Sequence, residues 1–196
     1  MKAIVLAAGK GTRLHSEEFN LPKVLREALG KPLLGYVLSN ISFVNKKDIC
    51  IVIGYMGEKV RAYAGEDYAY AVQSEQKGTG HAVMMAKDEF EGYDGDVLIV
   101  YGDMPLFKEE TYKAICKKHK ESGAALTLLT ADIKNPPAYG RIIRDENGSV
   151  KDIVEEKDCT DEQKRITELN VGVYVADAKL MFETLKGLKN NNAQGE

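Results

Sequence analysis

A short apolar run that leads directly into a glycine-rich, basic turn constrains the fold more than any other feature of the chain. Residues 3–6 are apolar, with β-branched members, which is typical of a buried strand in a parallel sheet. The next seven residues, AAGKGTR, are small, polar or basic. Small residues allow a tight turn whose backbone N–H groups can point at an anion. The stretch therefore predicts an α/β fold whose first strand ends in a phosphate-binding turn.

Two well-known phosphate-binding loops do not match this turn. A P-loop requires Gly-x-x-x-x-Gly-Lys followed by Ser or Thr, whereas residues 9–11 are Gly-Lys-Gly. The dinucleotide-binding fingerprint requires a third glycine where this chain has Leu14. A glycine turn without any ligand is the alternative, and the basic residues Arg13 and Lys23 favour phosphate binding over it.

Length, charge and cysteine content limit the class of protein. With 196 residues, the chain is long enough for one α/β domain with a sizeable core. A formal net charge of −3 gives no bulk attraction to nucleic acid or to acidic membranes, so the basic residues near the turn would act locally on a small anionic ligand. The three cysteines are odd in number and far apart, which indicates neither a zinc site nor a disulfide framework.

The amino terminus lacks the features of a signal peptide, because its apolar run is short and ends in glycines and charged residues. No stretch of the sequence approaches the apolar length needed to span a bilayer. We therefore expect a soluble protein of the cytoplasm, with neither nucleic acid nor a membrane as its partner.

Strand-like and helix-like segments alternate through the first two thirds of the chain, which predicts a Rossmann-like, mostly parallel sheet with helices on both faces. The predicted strands are residues 3–6, 49–53, 70–73, 97–101, 124–131 and 168–175. The predicted helices are residues 33–43, 58–64, 80–90, 109–121 and 178–188. An Asn-Gly turn between residues 139–144 and 150–155 predicts a β-hairpin.

Asp103 follows one of the predicted buried strands. Ligands of open α/β sheets bind outside the carboxyl ends of the strands, and a carboxylate there is suited to hold Mg²⁺ beside a triphosphate. The alternative is that Asp103 caps the next helix. An Asp-Gly-Asp sequence at residues 94–96 is similar to the acidic motif of glycosyltransferases, but it precedes the strand and so lies at the opposite edge, which weakens that interpretation without excluding it.

A polar loop with the sequence QSEQKGTGHA, residues 73–82, follows another predicted strand. Amide side chains such as those of Gln73 and Gln76 donate and accept hydrogen bonds together, which suits recognition of a neutral base such as uracil. From composition alone, an ordinary polar loop is the simpler interpretation.

Residues 6–14, LAAGKGTRL, together with Leu-Pro-Lys at residues 21–23, resemble the signature of sugar-phosphate nucleotidyltransferases. Within that superfamily, the chain is most similar to the uridylyltransferase domain of bacterial N-acetylglucosamine-1-phosphate uridylyltransferases. The connection at residues 15–20 is longer than the family pattern. The resemblance extends to residues 190–196, beyond which the family continues into further strands and helices that supply an asparagine as second metal ligand, and often into an acetyltransferase domain.

The resemblance implies that UTP and N-acetylglucosamine 1-phosphate react to give UDP-N-acetylglucosamine and pyrophosphate, a step toward cell-wall precursors, with Mg²⁺ as cofactor. It implies a nucleotide-binding part over residues 1–132 and a sugar-binding part, including the hairpin, over residues 133–196. A hexose-1-phosphate nucleotidyltransferase of other specificity and a non-catalytic nucleotide-sugar-binding module are the alternatives. A monomer is the default expectation, because the acetyltransferase part builds the family's trimer.

The resemblance also implies roles for single residues. Arg13 and Lys23 are the implied catalytic residues, Arg13 holding the β- and γ-phosphates and Lys23 the α-phosphate and the sugar phosphate; Asp103 is the implied metal ligand. The implied nucleotide-binding residues are Leu6, Ala8, Gly9, Gly11, Thr12, Gln73, Gln76, Gly78 and Thr79. The implied sugar-binding residues are Tyr101, Gly102, Gly140, Glu155 and Asn170. His81 is expected to be structural.

Overall fold

The structure, a computed structural model, describes residues 1–11 and 19–187. Within these ranges the strands are β1 (Lys2–Ala7), β2 (Glu27–Ala28), β3 (Lys31–Pro32), β4 (Ile49–Ile53), β5 (Ala69–Val72), β6 (Asp96–Tyr101), β7 (Leu126–Asp132), β8 (Arg141–Arg144), β9 (Val150–Val154) and β10 (Glu168–Asp177). The helices are α1 (Leu33–Asn40), α2 (Gly57–Ala64), α3 (Gly78–Met85), α4 (Glu109–Ser122) and α5 (Ala178–Leu185). In the same ranges, no helix has the length and hydropathy required to cross a membrane.

Eight of these strands form one mixed sheet in the order β5-β4-β1-β6-β10-β8-β9, with β7 paired to β10. The strands from β5 to β6 are parallel, whereas β10 runs antiparallel to β6, β7 and β8. The predicted Rossmann-like α/β fold is thus confirmed, with an antiparallel half added to its parallel half. Since β1 lies between β4 and β6, the turn that follows β1 is central to the carboxyl edge of the parallel half.

Helices cover both faces of the sheet, as the alternating pattern predicts. Val5 of β1 belongs to an apolar cluster with residues of α1, α2 and α4, whereas Ile4 belongs to a second cluster with residues of α3 and α5. Both side chains are fully buried. A central strand that is covered on both faces needs an apolar residue at every position, which explains the unbroken apolar run at the start of the chain.

The helix predicted over residues 80–90 is wrong at both ends. The α-helix begins at Gly78, whose φ of +88° allows the chain to turn directly into the helix, and it ends at Met85. A separate 3-10 helix, Lys87–Phe90, follows. The tighter turn still buries Phe90, whose ring centroid lies 5.5 Å from that of Phe182 on α5. An apolar spacing that fits either helix type cannot show where one gives way to the other.

Strand β10 joins the parallel half of the sheet to the hairpin of β8 and β9. Along one edge, its carboxyl half pairs with β6 and its Leu169 pairs with Arg141 of β8. Along the other edge it pairs with β7, where the register shifts: Asn170 and Tyr174 face Thr130 and Leu128. Asn170 and Tyr174 are four positions apart in β10, whereas their partners Thr130 and Leu128 are two positions apart in β7. Residues 171–173 therefore form a bulge, which we call the β10 bulge.

Candidate active site

Two adjoining cavities open at the carboxyl ends of β1 and β6. The first, of about 340 Å³, is lined by all the described residues that the sequence implies for nucleotide binding: Leu6, Ala8, Gly9, Gly11, Gln73, Gln76, Gly78 and Thr79. The second, of about 650 Å³, is lined by Gly140, Glu155 and Asn170. Lys23, Tyr101 and Asp103 line both cavities. The fold therefore gathers residues from distant parts of the sequence at one edge of the sheet.

Two of the implied site residues, Thr12 and Arg13, lie outside the described residues. Gly102 is described, but it lines neither cavity. Its N–H donates to the carbonyl of Leu6 at 2.9 Å, and an added Cβ would lie 3.3 Å from that oxygen. Gly102 thus holds the end of β6 close to the end of β1.

The backbone after β1 is fixed by contacts to its carbonyl groups. The carbonyl of Ala8 accepts from the backbone N–H of Tyr55 at 3.2 Å and from Nε2 of Gln76 at 2.8 Å. A Cβ added to Gly54 would lie 2.8 Å from the same oxygen, so the turn after β4 also approaches closely. Gly11 has a φ of +66°, the left-handed region that glycine adopts without strain. The wall of the first cavity is therefore built in advance of any ligand.

The amide of Gln73 is buried and held by two groups of α3. Its Nε2 lies 3.1 Å from the carbonyl oxygen of Gly78 and 3.1 Å from Nδ1 of His81. A carbonyl oxygen only accepts, so this contact assigns the amide nitrogen, whose other hydrogen is directed at Nδ1 of the imidazole. The group that Gln73 offers to a ligand is then the Oε1 acceptor. His81, expected to be structural, orients Gln73.

Lys23 and Asp103 form an ion pair at the boundary of the two cavities. Lys23 begins a 3-10 helix, Lys23–Leu25, that is anchored by the buried side chains of Val24 and Leu25. Asp103 follows β6, and the side chains of Lys23 and Asp103 are 38% and 18% exposed. The helix-cap alternative for Asp103 is wrong, because α4 begins at Glu109 and its N-cap is Lys108.

The donor set around Asp103 limits how a metal could bind. Within residues 1–11 and 19–187, no group of three or more His, Cys, Asp or Glu side chains is arranged to hold a metal ion. Asp103 supplies one carboxylate, and the ammonium of Lys23 on that carboxylate shows that the position accepts a cation. Mg²⁺ is commonly held by one or two carboxylates together with waters and phosphate oxygens. Asp103 therefore fits a metal ion that binds jointly with a nucleotide.

Tyr101 forms the partition between the cavities. Its Oη lies 3.1 Å from Oγ1 of Thr79, and its ring covers Gly172 of the β10 bulge, where an added Cβ would lie 2.3 Å from the ring. Burial raises the pKa of Tyr101 to about 12. The hydroxyl is therefore protonated at neutral pH and acts as a hydrogen-bonding group.

The second cavity is lined by a carboxylate, a side-chain amide and the backbone turn at Gly140, which is close to both. The N–H of Asn170 donates to the carbonyl of Gly140 at 2.9 Å. A Cβ added to Gly140 would lie 3.0 Å from Oε1 of Glu155, so a larger residue at position 140 would require this carboxylate to shift by a few tenths of an ångström. Three of the five residues that the sequence implies for sugar binding, Gly140, Glu155 and Asn170, therefore line the same cavity, although they come from β10 and from both sides of the hairpin.

Sequence reasoning missed a buried guanidinium beside this cavity. Arg141 is 3% exposed, and its Nη1 donates to the carbonyls of Pro137, at 3.0 Å, and Tyr139. These bonds fix the segment 137–139, part of which lines the second cavity. A charged residue at the start of a hairpin strand usually faces solvent, so the local sequence carried no signal of this role.

Comparisons of the sequence with a family profile and with known proteins indicate the same family. The sequence profile described as "Nucleotidyl transferase" matches residues 2–196. Proteins named "Bifunctional protein GlmU" are 46% identical in Streptococcus equi subsp. zooepidemicus, 45% in Listeria monocytogenes serotype 4a and 43% in Halalkalibacterium halodurans, each over 194 residues. The alignments cover 99% of this chain but 42% of each relative, so the chain spans less than half the length of these relatives.

Solved structures share the fold at low sequence identity. A Bacillus anthracis protein, described as a candidate glucose-1-phosphate thymidylyltransferase in complex with sucrose, gives a TM-score of 0.79 at 22% identity, covering 96% of this chain and 76% of that one. A UDP-glucose pyrophosphorylase in complex with UDP-glucose gives 0.77 at 18% identity, covering 97% and 80%. These two structures confirm the predicted fold, and the sequence profile and the sequence relatives confirm the resemblance noted in the sequence.

Proposed function

The chain belongs to the nucleotidyl transferase family, and from this premise we propose that it transfers UMP from UTP to N-acetylglucosamine 1-phosphate. The products are UDP-N-acetylglucosamine, which feeds cell-wall precursor synthesis, and pyrophosphate. The observation that carries the proposal is the shared boundary of the two cavities, where Lys23, Tyr101 and Asp103 line both. Two substrates that exchange a phosphoryl-linked group must meet at such a boundary.

The proposed reaction needs positioning and charge neutralisation more than acid–base chemistry. A sugar 1-phosphate, with a second pKa of about 6, is largely a dianion at neutral pH. Its oxygen attacks the α-phosphorus of UTP, and the bond from that phosphorus to the β-phosphate oxygen breaks as pyrophosphate leaves. Both reactants are anions, so the protein must hold them together against their repulsion. Lys23 lies where it could contact both; Arg13 is assigned the β- and γ-phosphates from the resemblance alone.

Nucleotidyl transferases generally use a divalent metal ion, and we assign Mg²⁺ to Asp103. Asp103 would hold the ion, which would neutralise part of the charge on the phosphates. The ammonium of Lys23, which lies on the Asp103 carboxylate in this structure, is suited to contact the phosphates of both substrates.

The two halves of the chain divide the recognition between them in this proposal. The part up to residue 132 supplies the nucleotide cavity, and the part from residue 133 supplies Gly140, Glu155 and Asn170 for the sugar. Glycine at position 140 leaves room for the Glu155 carboxylate, which is suited to accept hydrogen bonds from sugar hydroxyls.

Selection of uracil follows from the orientation of Gln73. Uracil presents an N–H donor at N3, whereas cytosine presents an acceptor there, which would face the Oε1 acceptor of Gln73. An unpaired buried polar group costs about 1–3 kcal/mol, so we expect kcat/KM for UTP to exceed that for CTP by roughly 10- to 100-fold. Competition between the two nucleotides in a pyrophosphate-release assay measures this ratio.

Gln73→Ala should reduce the preference for UTP over CTP to a few-fold, because it removes the acceptor that distinguishes the bases. Gln163→Ala is a matched control, since the Gln163 side chain accepts a local hydrogen bond from the N–H of Thr160 and lines neither cavity. An unchanged preference in Gln73→Ala would refute the assigned base contact.

The decisive experiment is a pyrophosphate-release assay with UTP, N-acetylglucosamine 1-phosphate and Mg²⁺. It is run on this chain and on a chimaera continued past Glu196 with the corresponding segment of the Streptococcus relative. Release that depends on all three components supports the proposal. A non-catalytic nucleotide-sugar-binding module is the second candidate, favoured by the single carboxylate at Asp103 among the described residues; it would bind UDP-N-acetylglucosamine in calorimetry and release no pyrophosphate in either form.

The proposal includes a cytoplasmic location, because the reaction consumes a nucleoside triphosphate. A monomer stays a prediction, and light scattering coupled to size-exclusion chromatography tests it.

A further inference from the structure

The β10 bulge brings together two side chains that a regular strand would hold apart. Residues four positions apart in a strand are separated by about 13 Å. Here the Oη of Tyr174 lies 2.6 Å from Nδ2 of Asn170 and 3.0 Å from its Oδ1. The two extra residues of β10 between the register positions of Asn170 and Tyr174 shorten the path and make this contact possible.

The contacts around the amide of Asn170 determine its orientation. Its Oδ1 accepts the backbone N–H of Gly172 at 3.1 Å, which identifies the oxygen, and Nδ2 then donates to Tyr174. The Tyr174 oxygen also lies 3.0 Å from Oδ1, but a hydroxyl that accepts from Nδ2 cannot donate to Oδ1 of the same amide as well, so Tyr174 is the partner of Nδ2. An amide nitrogen carries two hydrogens, so what Asn170 presents to the second cavity is a single N–H donor.

Tyr174 is well placed to act on Asn170 without touching a ligand. Its side chain lines neither of the two cavities, whereas Asn170 lines the second. The ring packs against the apolar cluster under α3 and α5. Burial raises the pKa of Tyr174, so the hydroxyl stays protonated and its hydrogen bonds persist at neutral pH.

We propose that Tyr174 is a positioning residue that fixes the Asn170 amide as a hydrogen-bond donor toward an acceptor oxygen of the sugar. This inference rests on the proposed function and goes beyond it by naming a residue outside both cavities. Without the Tyr174 hydroxyl, Nδ2 of the amide loses its acceptor and only the bond from Gly172 to Oδ1 remains. The amide then rotates to other orientations, and fewer molecules present the N–H in the direction that the sugar requires.

Tyr174→Phe tests the inference, because it removes the hydroxyl and keeps the ring. We expect KM for N-acetylglucosamine 1-phosphate to rise about 3- to 10-fold, the effect of one hydrogen bond, while kcat and KM for UTP change less than about twofold. In calorimetry, binding of UDP-N-acetylglucosamine should weaken by the same factor and binding of UDP should not change. A merely structural role would weaken UDP binding as well.

A double-mutant cycle with Asn170→Ala separates positioning from packing. If Tyr174 acts through Asn170, then Tyr174→Phe has no further effect in the Asn170→Ala background. Tyr70→Phe is the matched control. The Tyr70 hydroxyl also makes a hydrogen bond within the protein, to the carbonyl of Gly65, and Tyr70 also lines neither cavity. It should leave every constant unchanged.

Three results would overturn the inference: unchanged binding of UDP-N-acetylglucosamine by Tyr174→Phe, additive effects in the cycle, or an equal loss of UDP binding. In each of these, the wild-type chain still binds UDP-N-acetylglucosamine and the proposed function stands. Failure of the wild-type chain to bind that ligand would instead overturn the proposed function, and the role of Tyr174 with it.

Discussion

Replacing Lys23 with alanine is expected to lower kcat by about 10²- to 10³-fold, the range for removing one preorganised group that stabilises transition-state charge. Lys23 lies at the boundary of the two cavities, in contact with Asp103, where two anionic substrates would meet. The fold should remain intact, because the buried neighbours Val24 and Leu25 carry the packing of this turn. Pyrophosphate-release kinetics and circular dichroism measure the two effects.

Lys46→Ala is the matched control for Lys23→Ala. Lys46 also pairs with an aspartate, Asp67, at 2.8 Å, but both side chains are largely exposed and line neither cavity. Exposed ion pairs contribute little to stability and nothing to a distant site. Near-normal turnover in Lys23→Ala would contradict the assigned role.

The affinity of Lys23→Ala for a divalent metal ion shows whether its lower turnover comes from loss of the Lys23 ammonium or from damage to the metal site. The ammonium of Lys23 lies on the Asp103 carboxylate, so its removal leaves that carboxylate free for a divalent ion. Binding of Mn²⁺ without nucleotide, followed by electron paramagnetic resonance, should therefore be equal to or tighter than in the wild type. Weaker Mn²⁺ binding would mean that the lost turnover comes from a damaged metal site.

Gly172→Ala should lower the free energy of unfolding by about 2–6 kcal/mol. A residue other than glycine in the left-handed region costs of order 1–3 kcal/mol, and Gly172 has a φ of +75°. The added methyl group would also lie 2.3 Å from the Tyr101 ring, and overpacking typically costs about 1–3 kcal/mol more. Urea denaturation measures the sum, and calorimetry should show weaker binding of UDP-N-acetylglucosamine because Tyr101 must move.

Gly148→Ala isolates the contact with Tyr101 from the backbone strain. Gly148, in the turn between β8 and β9, has a φ of +79° but nothing within 4 Å of an added Cβ. It should show the strain cost alone, with no effect on ligand binding. Equal losses of stability in the two variants would mean that Tyr101 moves without cost and does not hold the β10 bulge.

Features that depend on local sequence could be predicted well. The strand predicted at residues 49–53 coincides with β4, because an unbroken apolar run of that length fits only a strand covered on both faces. The predicted hairpin is present as β8 and β9, with Gly148 supplying the positive φ of the turn and Asp145 Oδ1 accepting from the N–H groups of Asn147 and Ser149. The small hairpin of β2 and β3 was missed, because two-residue strands are too short to show any period.

The positions of the candidate site residues were accessible from sequence, but their contacts were not. The motifs placed Gln73 and Asp103 at strand ends, and the α/β topology brings such ends together. The orientation of Gln73 depends on His81, and that of Asn170 on Tyr174, through a register shift in β10. A register shift depends on how segments distant in the sequence pair with each other, so no local sequence pattern predicts it.

The single strand β10 has a further consequence for how chains of this kind can diversify. One continuous strand is hydrogen-bonded to β6 at one end and to the hairpin at the other, and it has β7 along its opposite edge. Crossovers placed in β7 and in the carboxyl half of β10 would exchange the hairpin and the bulge as one cassette. Homologues recombined at these points would inherit nucleobase choice from one parent and acceptor choice from the other.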